Sequence, residues 1–153
     1  MMPAGATAAV RLRPFAPQDT QQVVALWRAC GLVRPWNDPY RDIARKQAEQ
    51  PELFLVAQPC DGGGSGQVAG SAMAGYDGHR GWVYYLAVAP GRQRLSIGRA
   101  LMAEAERLLL ARGCPKINLQ VRSGNQGVLA FYEKLGYARD DTISLGKRLI
   151  PDA

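Results

Sequence analysis

The chain has 153 residues, which fits one domain large enough to bury a real core. With 47% apolar and 21% charged residues it reads as an ordinary soluble globular protein, and no apolar run approaches the roughly 18 to 20 residues of a membrane span. The net charge of +6 favours anionic partners, of which nucleic acid and a phosphate-rich cofactor are the two obvious classes.

Cys30, Cys60 and Cys114 are widely spaced and odd in number, and His79 is the single histidine. That set argues against a metal site or a disulfide framework and points to a reducing cytoplasm. Residues 1–9 are small and uncharged apart from the terminus, without the basic start and long apolar middle of a signal peptide. They are expected to form a flexible tail ahead of a single domain over residues 10–153.

Residues 10–15 alternate apolar and basic side chains, the pattern of a strand with one buried face. Pro17 and Asp19 open a helix in which Val23, Val24, Trp27 and Cys30 recur at helical spacing, and Gly31 stops it. A loop over residues 32–37 leads to Asp38-Pro39, which caps and starts a second helix through about Ala48. Residues 53–58 and 68–76 read as a hairpin with a loose Gly-rich tip, and a turn over residues 77–81 leads to a third strand over residues 82–88.

From Ile97 to Arg112 the pattern is helical, with Leu101, Ala105, Leu108 and Leu109 on one face, and Gly113 and Pro115 end it. Ile117, Leu119 and Val121 alternate as a strand. Residues 125–135 form a helix, and two strands, from Tyr137 onward and over residues 143–149, complete the chain. The order β-α-α-β-β-β-α-β-α-β-β predicts an α/β (α+β) fold. Its mixed, mostly antiparallel sheet has six to seven strands, with helices on both faces.

Two blocks carry chemistry. The first, WVYYLAVAPGRQRLSIGR over residues 82–99, is an apolar strand, a basic loop and a helix start. Backbone N–H groups at such a helix start, with the helix dipole behind them, suit a pyrophosphate. Arg94 and Arg99 add charge-assisted donors. The second block is NQGVLAFYEKLGY over residues 125–137. Either block alone also suits a plain structural turn or a packed helix; together, in order and about 30 residues apart, they are specific.

In these blocks and in its element order the chain resembles the GNAT superfamily of acetyl-CoA-dependent N-acetyltransferases. Gln93-Arg94-Leu95-Ser96-Ile97-Gly98 follows that family's Gln/Arg-x-x-Gly-x-Gly/Ala pattern, and Asn125, Tyr132 and Gly136-Tyr137 follow its second motif. The stretches RPWND, GYDGHRG, ARGCPKI and SLGKRL further resemble a small bacterial branch, the YpeA type. The resemblance implies acetyl transfer from acetyl-CoA to a primary amine by direct attack in a ternary complex, with a small-molecule or protein amine as acceptor. No metal, nucleic acid or membrane is involved, and a homodimer is an option. An acyl-CoA-binding module without turnover is the alternative.

The resemblance also assigns residues. Leu86, Ala87 and Val88 would line a notch for the pantetheine arm, and the Val88 N–H would be the oxyanion donor. Residues Gln93, Arg94, Leu95, Ser96, Ile97, Gly98 and Arg99 would hold the pyrophosphate. Tyr132 would be the acid that protonates the leaving thiolate, and Asn125 would bind the cofactor arm or cap its helix. Gln120 stands where some relatives carry a glutamate, and an amide is no base, so His79 and Asp77 are the candidate substitutes. Arg34, Trp36 and Asp38 border the acceptor side. Ser96 departs from the family's glycine: in a first helical turn it fits at modest cost, whereas at a position needing positive φ it impairs the site.

Overall fold

The computed structural model describes residues 10–60, 67–93 and 96–152; the expected tail, the tip of the Gly-rich loop, Arg94 and Leu95 lie outside them. Strands β1 (Val10–Pro14), β2 (Phe54–Pro59), β3 (Gly70–Tyr76), β4 (Gly81–Val88) and β5 (Ile117–Asn118) form one sheet in that spatial order. The first four are antiparallel neighbours, and β4 and β5 run parallel. Helices α1 (Thr20–Ala29) and α2 (Pro39–Ala48) cover one face; α3 (Ile97–Ala111) and α4 (Gln126–Lys134) pack on the other.

Period-two alternation builds both cores. Phe54, Val56 and Met73 bury against Val23, Val24 and Trp27 of α1, while Leu55, Ala57, Ala72 and Ala74 bury against Ile97, Leu101, Met102 and Ala105 of α3. Before α1, the Asp19 carboxylate sits in the interior, where burial alone would raise its pKa. Two bonds from the Arg13 guanidinium (2.7 and 2.9 Å) and one from the Ala16 N–H (2.8 Å) outweigh that, so it titrates below the ordinary carboxylate range. Asp38 caps α2 by accepting from the Tyr40 and Arg41 amides.

One strand breaks the alternation. Val83 lies in the α3-side core, and strict alternation would send Tyr85 and Ala87 there too. Instead Ala87 is buried with α1, Tyr85 packs beside it, and Leu86 and Val88 turn to the α3 side. The reversal is a β-bulge: pairing to β3 jumps between Ser71 and Met73, and Tyr85 takes φ of 54°. Trp27 stacks on the Tyr85 ring at 3.8 Å, and its Nε1–H donates to Ser71 Oγ (2.9 Å), which donates to the Tyr85 carbonyl (3.0 Å). The Tyr85 hydroxyl donates to Asp42 Oδ2 on α2 (2.6 Å), and burial with that bond pushes the phenol pKa far up.

Among the described residues the sheet has five strands, a correction to the expected six to seven. β5 keeps only Ile117–Asn118 of the alternating run, and neither the segment from Tyr137 onward nor residues 143–149 form ladders. Alternation makes a strand only where a second layer buries one face, and Ile143, Leu145 and Leu149 are 88, 91 and 84% exposed. The segment is tied down through polar side chains instead. Asp140 accepts from Lys116 and Asn118, Gln120 bonds Ser144, Arg148 donates to Asn37, and Asp152 accepts two bonds from Arg45.

Candidate active site

The opening between β4 and β5 is the site's frame. These strands pair only at Gly81–Ile117 and Trp82–Asn118, so the rest of β4 has no ladder neighbour on that edge among the described residues. The Ala89 N–H bonds the Ala69 carbonyl (2.8 Å), and Val88 faces Gly70 in the next position of the register. In an antiparallel ladder that makes Val88 a non-bonded pair, with its N–H and C=O turned away from β3 towards the opening. Its carbonyl accepts from the Cys30 thiol at the end of α1 (3.3 Å) and from Gln93 Nε2 (3.4 Å). Among the described residues the N–H has no such partner.

Three elements converge beside it at Gly98. A Cβ there would lie 3.2 Å from Phe131 of α4 and 3.6 Å from Val88 of β4, so the absent side chain lets both approach the start of α3. The first helical amides of α3, at Ile97, Gly98 and Arg99, have no acceptor within the helix; the first intrahelical bond is from Ala100 to the Ser96 carbonyl (3.0 Å). Ile97 and Gly98 are buried and Arg99 is exposed. Among the described residues these amides at the start of a 15-residue helix have no acceptor, an arrangement that suits an anion.

Ser96 precedes them in the left-handed region, with φ 62° and ψ 19°, and its side chain caps nothing. The conformation is one that glycine adopts freely and serine does not. Ser96→Gly is therefore expected to stabilise the fold by about 0.5 to 1 kcal/mol, a rise of a few degrees in Tm, and to tighten anion binding at the helix start. Thermal melts with and without ligand check this; a lower Tm in the variant would show that the serine is not strained.

Tyr132 lies on α4, 8% exposed, edge-on to Phe131 (5.1 Å) and Tyr137 (5.7 Å). Its hydroxyl bonds no described residue, and burial pushes its pKa up to about 12. Tyr137 is engaged elsewhere, donating to Glu106 Oε2 (2.6 Å). Asn125 is the cap of α4, its side chain accepting from the Val128 amide (3.2 Å).

The two candidate bases are not brought here. Asp77 and His79 sit in the turn before β4, and Val88 ends that strand, so at about 3.3 Å per residue they lie roughly 20 Å away. Asp77 is a turn former, accepting from the His79 and Arg80 amides and from Trp82 Nε1, bonds that hold its carboxyl below the ordinary range. The geometry therefore gives no support to a base from that turn.

The loop of Arg34, Trp36 and Asp38 follows α1. It leaves α1 at Cys30, against Val88, and Arg122 from beyond β5 lies over the Trp36 ring at 5.9 Å. Asp38 is occupied as the α2 cap and by Arg41 at 3.6 Å. Cys30, Tyr85, Phe131 and Arg122 were not singled out from the sequence. The signal for Tyr85 was the run Tyr84-Tyr85-Leu86, where alternation stops.

Comparison with known proteins shows the family and the fold. The family model described as "Acetyltransferase (GNAT) family" matches residues 20–137. The chain is 50% identical over 143 residues to "Acetyltransferase YE1169" of Yersinia enterocolitica, covering 94% of this chain and 98% of that one. Among solved structures it is similar to Ard1 from Thermoplasma volcanium, with TM-score 0.71 and 25% identity over 85% of this chain and 83% of that one. Its fold is also that of a chain in the NatC complex bound to Gag peptide and CoA, with TM-score 0.72 and 22% identity over 86% of each chain.

Proposed function

The chain belongs to the GNAT family of acetyltransferases, and from that premise we propose that it moves the acetyl group of acetyl-CoA to a primary amine by direct attack in a ternary complex. The observation that carries the reading is the unpaired β4 edge at Val88 lying beside the free amides of α3. A pantetheine arm pairs with such an edge as an added strand does, and the pyrophosphate takes the helix start. The NatC structure, whose fold is shared, contains CoA. Acetyl-CoA would supply an activated thioester carbonyl at the Val88 N–H.

Each remaining role falls to this chain's own groups. The Val88 N–H stabilises the oxyanion that forms when the amine attacks, an effect of roughly 3 kcal/mol in comparable sites. The carbon–sulfur bond would then break as Tyr132 Oη–H donates its proton to the departing thiolate, and the proton lost by the attacking nitrogen would pass through solvent to restore the phenol. A phenol at about 12 is protonated throughout the neutral range, so it is always charged with its proton when needed. Burial also means that folding holds the neutral phenol. Its contribution to stability is complete below the ordinary tyrosine value near 10 and is lost as pH rises towards about 12.

With Asp77 and His79 remote, the amine enters as the free base from solution. The log of kcat/KM is expected to rise with unit slope up to the pKa of the acceptor itself, and the break should move with that pKa when the acceptor is changed. A break fixed near 6.5 for every acceptor would contradict this and return a histidine to the mechanism. The reading as a whole is tested by thermal shift with acetyl-CoA, since a native-state ligand raises Tm; no shift at millimolar acetyl-CoA would overturn it.

A further inference from the structure

Charge around the acceptor-side loop is sorted unevenly. Three acids on this side are already engaged. Asp38 caps α2 and faces Arg41, Asp42 holds the Tyr85 hydroxyl and Arg45, and Asp152 takes Arg45 in two bonds with Arg41 at 3.7 Å. The cations are not matched in return. Among the described residues Arg34, Arg122, Lys147 and Arg148 have no carboxylate partner, and the buried Nε of Arg34 has no hydrogen-bond partner at all.

Three separate parts of the chain bring these cations to one loop. Arg34 belongs to the loop, Arg122 lies over its Trp36, and Arg148 Nη2 donates to its Asn37 at 2.6 Å. Next to Arg148 is an open pocket of about 570 Å³ lined by Arg45, Lys147, Arg148, Leu149 and Ile150. It is a shallow surface depression rather than an enclosed cavity, and the cations Lys147 and Arg148 on its lining attract the opposite sign of charge. The same loop begins at Cys30, whose thiol touches the Val88 carbonyl.

We propose that the acceptor is a small amine that also carries a carboxylate, held by Arg148 and Lys147 with Arg122 and Arg34 beside them. The proposal rests on the acetyltransferase reading for the fate of the amine, and on the loop alone for recognition of the anion. Arginine presents paired N–H donors that match a carboxylate, and Arg148, bonded to Asn37 and the Ile150 carbonyl but to no acid, gives that recognition without first breaking an internal ion pair.

The test uses matched pairs, each an amino acid and its carboxamide, with the CoA-loaded protein. Calorimetry measures affinity and thiol release measures turnover, in wild type, Arg148→Gln and Arg122→Gln. The acids are expected to bind about tenfold or more tightly than their amides, and the gap is expected to close in Arg148→Gln. Raising salt should narrow it as well. The comparison is stringent because replacing the carboxylate by an amide lowers the amine pKa, which favours the amide in the uncatalysed reaction. Equal affinities for acid and amide, or a gap that survives both substitutions in proteins of unchanged Tm, would overturn the proposal. Tight binding of the acids without thiol release would support the anion site and overturn turnover instead, so the two failures are separate.

Discussion

Tyr132→Phe is expected to lower kcat by about 100-fold or more, the usual contribution of a positioned general acid. Acetyl-CoA affinity and Tm should stay close to wild type. The substitution removes one oxygen that bonds no described residue and keeps the ring that packs edge-on to Phe131 and Tyr137. The thiolate leaving group is then protonated by water alone. Steady-state thiol release, with affinity from a separate equilibrium titration, decides the matter. A kcat equal to wild type would remove Tyr132 from the chemistry, and a loss of affinity in step with kcat would make it a packing residue.

The second large effect is on stability. Trp27 is fully buried, stacked on Tyr85, near Phe54 at 6.1 Å, and bonded to Ser71. Trp27→Ala is expected to cost about 3 to 5 kcal/mol, from the lost burial and the cavity it leaves. For a chain of this length that corresponds to roughly 10 °C in Tm. It also removes the donor that holds Ser71 against the Tyr85 carbonyl, and with it the support for a non-glycine residue at φ 54°. Because the bulge sets which way Leu86 and Val88 face, acetyl-CoA affinity should fall further than in a core variant at the far end of β4 from Val88, such as Leu109→Ala, whose side chain packs at Gly81. Melting and ligand titration of both variants check this. Equal affinities in the two would separate the bulge from the site.

Much of this was legible in the sequence because the signals are local. The Asp38-Pro39 start of α2 and the Ile97 start of α3 are written in capping and periodicity, and the observed bounds agree. The two motif blocks meet in space at Gly98, where α3, β4 and α4 converge. What was not legible depends on partners distant in the chain. The bulge needs Trp27 and Ser71 to hold Tyr85, and nothing near Tyr85 in sequence announces them. The turn with Asp77 and His79 carries plausible side chains, but the direction of β4 puts it at the far end of the sheet from Val88. The C-terminal strands failed because alternation reports a buried face only when something covers it, and Ile143 and Leu145 are bare. Ser96 was open from sequence alone: its cost depended on a backbone angle that the structure places at φ 62°.

The most direct measurement is thiol release together with intact-protein mass, with acetyl-CoA and a panel of amines that includes amino acids. Direct transfer in a ternary complex predicts that free thiol appears only when both acetyl-CoA and an amine are present, that it matches N-acetylated product one for one, and that the protein mass never changes. Saturable acetyl-CoA binding with no thiol released for any amine would make the chain a binding module, and an acetylated protein formed before amine is added would contradict direct attack.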